Sequence, residues 1–221
     1  MIVFKFCGFF NKNINISLVK YFNMTDTLQK ILPSDLRIEK LSNRHTEIVN
    51  EFQTYNKELK DFLVEDALAN QEMAISTTYL WLYNPKNELC AYVTILADAI
   101  RIHGTKLGKS FVDQGVLYKT LPAIKIGRLC VDDRYTKRGI GKQTTYFVMK
   151  KLIHINEVIG CRFIVVDAKP DSTKFYKKMG FEVLKQREKG TLPMYYDMIK
   201  LIRYFKENKA KLSKTKEEKI L

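Results

Sequence analysis

Val131-Asp-Asp-Arg-Tyr-Thr-Lys-Arg-Gly-Ile-Gly-Lys142 decides how this chain is read: it is a basic, glycine-containing turn between two regular segments. Before it, Ile124-Lys-Ile-Gly-Arg-Leu-Cys-Val131 is a β-rich run. After it, Tyr146, Val148, Met149, Leu152, Ile153 and Ile155 recur near the helical period, predicting an amphipathic helix from 140 to 158 that Gly160 ends. A helix N-terminus exposes unpaired N–H groups and about half a positive charge, which suits a phosphate. Gly139 and Gly141 let the backbone approach an anion closely. Arg134, Lys137, Arg138 and Lys142 surround it with charge. The ligand implied is a pyrophosphate or a similar polyanion. The spacing is not that of a Walker A loop, and the dinucleotide fingerprint would need a third glycine where Thr144 stands. On these residues alone, a tight strand-to-helix packing turn explains the glycines equally well.

Downstream, Arg162-Phe-Ile-Val-Val-Asp-Ala168 is an apolar strand of the buried, parallel type. A short helix over 171–179, Gly180, a strand at 181–186 and a last strand over 192–202 follow, then a frayed basic helical tail. Upstream, residues 36–42 alternate as a strand and 44–74 hold one or two helices. Residues 78–83 and 88–97 form a hairpin about Asn84-Pro85-Lys86-Asn87. Residues 101–123 are expected to be a long functional or mobile connection. The order β-α-α-β-β-β-α-β-α-β-β predicts one α/β domain with a mixed, α+β-type sheet. It spans 24–202, after an uninformative extension over 1–23 and before a basic tail over 203–221.

The 221 residues are 46% hydrophobic and 28% charged, enough apolar material for a sizeable core. The net charge of +14 is unevenly placed. Residues 117–151 carry nine basic and two acidic side chains, and residues 200–221 carry eight and three. Clustered positive charge is the footprint of a polyanionic partner. Cys7, Cys90, Cys130 and Cys161 are far apart and have no zinc spacing, so a reducing, cytoplasmic setting and no metal are expected. Three His leave little room for His-based chemistry. No apolar run is long enough to span a bilayer, and no membrane association is expected.

The segment 131–142 resembles the acetyl-CoA-binding motif of the GNAT N-acetyltransferases, whose pattern is Arg/Gln-x-x-Gly-x-Gly/Ala. Phe163-Ile-Val-Val-Asp-Ala168 followed by Phe175-Tyr-Lys-Lys-Met-Gly-Phe181 is similar to the family's second signature, in the right order. The resemblance covers 36–202 and implies the GNAT fold with acetyl-CoA as cosubstrate. It implies that the backbone of Leu129, Cys130 and Val131 pairs with the pantetheine arm. The amides of Lys137, Arg138, Gly139, Ile140, Gly141 and Lys142 would cradle the pyrophosphate. Ser172 would lie by the pantetheine, and Tyr176 would protonate the leaving thiolate. A phenol is protonated at neutral pH, so it can serve as that acid.

Thr136 stands where the family usually has Gln or Arg, so Arg134 or Arg138 would have to compensate. Lys169 and Ser172 replace a frequent Asn and Ala. No carboxylate lies inside 124–131, and Asp132 and Asp133 are candidates either for a base or for a cap. An α-amine needs less help from a base than a lysine does, so the missing carboxylate favours an α-amine acceptor. Leu59 to Gln71, the following Thr-Tyr strand and Ile126-Gly-Arg-Leu-Cys-Val-Asp132 are similar to the toxin acetyltransferases of bacterial toxin–antitoxin modules. That branch acetylates aminoacyl-tRNA, which implies tRNA, an antitoxin and a homodimeric partner as candidates. A protein or small-molecule amine is the alternative acceptor. A basic nucleic-acid-binding or acyl-CoA-sensing module without turnover is the alternative of another class.

Overall fold

The computed structural model describes residues 30–186 and 190–217, with side chains through 208. The expected extension over 1–23 lies outside the described residues, and Ile31–Leu221 form a compact unit. Seven strands make one sheet in the order β1-β2-β3-β4-β5-β7-β6. They are β1 (Leu36–Lys40), β2 (Thr77–Tyr83), β3 (Glu88–Arg101), β4 (Thr120–Val131), β5 (Phe163–Ala168), β6 (Glu182–Val183) and β7 (Leu192–Asp197). Only β4 and β5 run parallel. The expected mixed sheet of seven strands is therefore present.

Helices cover both faces. The segment 44–74 breaks into α1 (Thr46–Asn50), α2 (Lys57–Asp61), a π turn over Phe62–Asp66, and α3 (Ala67–Glu72). These pack Val49, Phe52, Leu63 and Ala67 on Leu80, Leu82, Tyr92 and Cys130 of the sheet. On the opposite face, α5 (Ile140–Val158) buries Ile140, Val148, Met149 and Leu152. Its Phe147 meets Tyr79 and Trp81 edge-on at 4.9 and 5.1 Å.

The structure corrects several expectations. The connection 101–123 is not a long loop: β3 runs on to Arg101, β4 starts at Thr120, and α4 (Lys106–Val112) lies between them. Thr105 caps α4 by accepting from the Gly108 N–H at 3.0 Å, and Phe111 sinks into a second apolar cluster with Ile100, Ile102, Ala123 and Phe163. The last strand ends at Asp197, whose carboxylate accepts from the Ile199 N–H at 3.0 Å and opens α7 (Ile199–Glu217). The basic tail is thus continuous with the domain's final helix, anchored by buried Met198, Leu201 and Ile202. Gly160 does not cap α5, because an extended Ile159 already ends that helix. The short helix expected over 171–179 is present as α6 (Thr173–Lys178).

Candidate active site

β4 and β5 are paired only at Ala123–Phe163, Ile124–Ile164 and Lys125–Val165. Beyond that point they part. β4 continues against β3 alone to Val131, while β5 continues against β7 alone. Gly127 is the extra residue of a bulge at this fork: Thr94 opposes Arg128 and Ile95 opposes Ile126. The bulge bends β4 away from its neighbour. Leu129, Cys130 and Val131 therefore turn one backbone edge to β3 and the other to the open fork, as a slot for an extended chain requires.

The basic turn closes the end of that slot. Asp132 is fully buried and organises it. Its carboxylate accepts from the Gln53 N–H at 2.8 Å, the Arg134 N–H at 3.0 Å, and Arg134 Nε and Nη2 at 2.9 Å each. Asp133 accepts from the Tyr55 N–H at 2.7 Å. Both carboxylates hold the turn together, and Asp132 does so as a cap, its side chain accepting from the Arg134 N–H. Arg134 is held by Asp132 and also by Glu88 at 3.2 Å, so it is not the substitute for the missing Gln or Arg. Thr136 donates to the Asp133 carbonyl at 3.2 Å. The Arg138 guanidinium lies over the Tyr83 and Tyr135 rings at 5.8 and 5.6 Å.

Lys137 and Gly139 both take positive φ, 59° and 85°, and swing the chain into α5. A Cβ on Gly139 would meet no atom within 4 Å, so the space before the helix is open. Gly139 offers no side chain to cap the first-turn amides, the groups that an anion at a helix N-terminus would meet. Gly141 behaves differently: a Cβ there would lie 3.5 Å from the Phe175 ring and 3.6 Å from Val131. It provides packing rather than access. That contact joins the two sequence motifs, since Phe175 on α6 seats against the first turn of α5. Lys142 lies beside the Tyr146 ring at 5.7 Å.

The family model of the GNAT acetyltransferase domain matches residues 42–201. The chain belongs to the GNAT acetyltransferase family. It is an N-acetyltransferase by that membership. Among solved structures it is similar to AtaT complexed with acetyl-methionyl-tRNAfMet, at 20% identity and TM-score 0.67, covering 77% of this chain and 99% of that one. A tyrosine-to-phenylalanine variant of KacT matches at 19% identity and TM-score 0.66 over the same shares. AtaTR bound with acetyl-CoA matches at 20% and 0.62, covering 78% and 98%.

Within this GNAT fold, Tyr176 is 5% exposed, on α6. Phe175 and Phe181 flank it edge-on at 5.1 and 5.3 Å, and burial holds its phenol well above the ordinary value. Ser172 donates its hydroxyl to the Lys169 carbonyl at 3.0 Å, inside the turn that leads to α6. Burial pushes the Cys130 thiol up to about 11, so it stays protonated and inert.

Two features left no readable mark in the sequence. One is a chain of charges over the fork: Lys169 Nζ sits 2.5 Å from Glu58 Oε2, and Arg128 Nη2 sits 3.7 Å from Glu58 Oε1. The Lys169 hydrogen bond and the Arg128 charge together hold the Glu58 carboxyl below its ordinary value. The other is a cavity of about 170 Å³ at the point where the strands part, lined by Asp98, Lys125, Val165, Asp167, Leu184 and Met194. Two of these lining residues, Lys125 and Asp167, pair at 2.7 Å. Among the described residues no cluster of His, Cys, Asp or Glu is arranged to hold a metal, and no helix is long and apolar enough to cross a membrane.

Proposed function

We propose that this chain moves the acetyl group of acetyl-CoA to an α-amine, that of an aminoacyl-tRNA. One observation carries the reading: β4 loses its β5 partner after Lys125 and runs, bare on one edge, into a basic turn with an open helix N-terminus. In this reading the amides of Leu129, Cys130 and Val131 hold the pantetheine as an added strand, and Lys137 to Lys142 take the pyrophosphate. The amine attacks the thioester carbonyl, a C–N bond forms and the C–S bond breaks. Tyr176 gives its proton to the departing sulfur, and the amine's proton passes to solvent. A buried phenol that keeps its proton across neutral pH suits that task. Backbone N–H groups of β4 support the carbonyl oxygen as charge develops on it.

Both carboxylate oxygens of buried Asp132 are taken up by the turn, which favours an acceptor that needs little deprotonation. The net charge of +14 suits a polyanionic carrier. The AtaT complex with acetyl-methionyl-tRNA supports the same class of acceptor. With it goes an antitoxin partner, as AtaT has been seen with the C-terminus of the antitoxin AtaR; the homodimer belongs to the same proposal. The test is thiol release from acetyl-CoA with aminoacyl-tRNA, a peptide N-terminus and a small amine. Aminoacyl-tRNA should react fastest, and Tyr176→Phe should lower the rate by about a hundredfold. CoA binding without thiol release from any of them would instead mark a sensing or binding module.

A further inference from the structure

Glu58 touches both sides of the fork although it belongs to neither strand. It sits on α2, over the sheet face opposite α5. One of its carboxylate oxygens reaches Arg128, the residue after the Gly127 bulge on β4. The other reaches Lys169, the first residue beyond β5. The Arg128 guanidinium is held in place by the Gly127 carbonyl at 2.9 Å and by the Phe62 ring at 5.0 Å. The Lys169 carbonyl accepts from the Ser172 N–H and hydroxyl and from the Thr173 hydroxyl, so Lys169 is the knot from which α6 and Tyr176 depart. A single carboxylate thus ties β4 to the start of the Tyr176 helix across the gap where the two strands have no backbone pairing.

We propose that Glu58 is a positioning residue, a strap that crosses the cofactor slot and sets its width by bridging Arg128 and Lys169. This rests on the slot being where the pantetheine lies. The Lys169 and Glu58 side chains are 43% and 58% exposed. Exposed pairs of this kind are individually weak, so the strap opens and recloses on its own. An extended chain lying between β4 and β5 passes beneath it, so cofactor entry and exit both wait on its opening. A plain contact with CoA would act otherwise, slowing release alone.

Stopped-flow association and dissociation of CoA with the full chain separates these cases, using wild type, Glu58→Gln and Lys169→Met. A strap predicts that both rate constants rise about threefold in each variant while Kd changes less than twofold, the size expected from losing one exposed pair. Lys169→Met keeps Glu58 and Arg128, so agreement between the variants assigns the effect to the bridge. Unchanged rate constants, or a rise in dissociation alone, overturn the strap and leave the cofactor slot standing. A wild-type chain that does not bind CoA overturns the slot and the strap together.

Discussion

The two ends of β4 differ in what surrounds them. Its first half, Thr120 to Lys125, is paired toward β3, and Ala123 to Lys125 are paired toward β5 as well. There it rests on the cluster of Ile100, Ile102, Phe111 and Phe163 that α4 completes. Its second half, from Gly127 to Val131, is paired on one side only and ends in a turn built from charged side chains. The same strand is thus a sheet core at one end and an edge paired on one side at the other, and the bulge at Gly127 marks the change.

Three substitutions test the difference between the two ends. Gly108→Ala strikes the supported end. A Cβ there would lie 2.1 Å from the Ile102 carbonyl oxygen, which is backbone and cannot step aside. Urea unfolding should show a loss of about 3 kcal/mol, with CoA affinity per folded molecule unchanged. Asp132→Ala strikes the turn, removing a buried acceptor from Arg134 and the Gln53 N–H. Stability should fall by about 2 kcal/mol, less than for a fully buried pair because Arg134 is partly exposed, and here CoA affinity should fall with it. A loss under about 0.5 kcal/mol would mean that the turn does not depend on this carboxylate. Gly139→Ala is the mildest for the fold, costing about 1 kcal/mol for its left-handed backbone. It should nevertheless weaken CoA binding by about tenfold in a calorimetric titration, since the new methyl would occupy the open cradle. Equal affinity would move the pyrophosphate elsewhere.

The second half of β4 was the more legible half. Glycine spacing and clustered charge are local features, so Gly139 and the basic turn could be read directly, whereas the Phe175–Phe181 signature came through the family resemblance. Asp132 showed as one of two ambiguous carboxylates; only its burial beneath Gln53 and Arg134 gave it a role. Helix α4 was missed because its seven residues carry too little periodicity, although Thr105 and Gly108 form a readable cap. The Glu58 bridge had no signal at all, since its partners lie 70 and 111 positions away and meet only through the fold. The strand expected through 202 stops short because Met198, Leu201 and Ile202 have helical spacing and the Asp197 carboxylate caps the turn that they begin.

The sheet has a mechanical consequence. Its first four strands and its last three are joined by backbone bonds along only three residue pairs, Ala123 to Lys125 with Phe163 to Val165. Above that short seam no ladder pair joins the two parts among the described residues. The sheet is in effect two panels on a narrow seam, and an extended chain lodged between them would act as a removable rib.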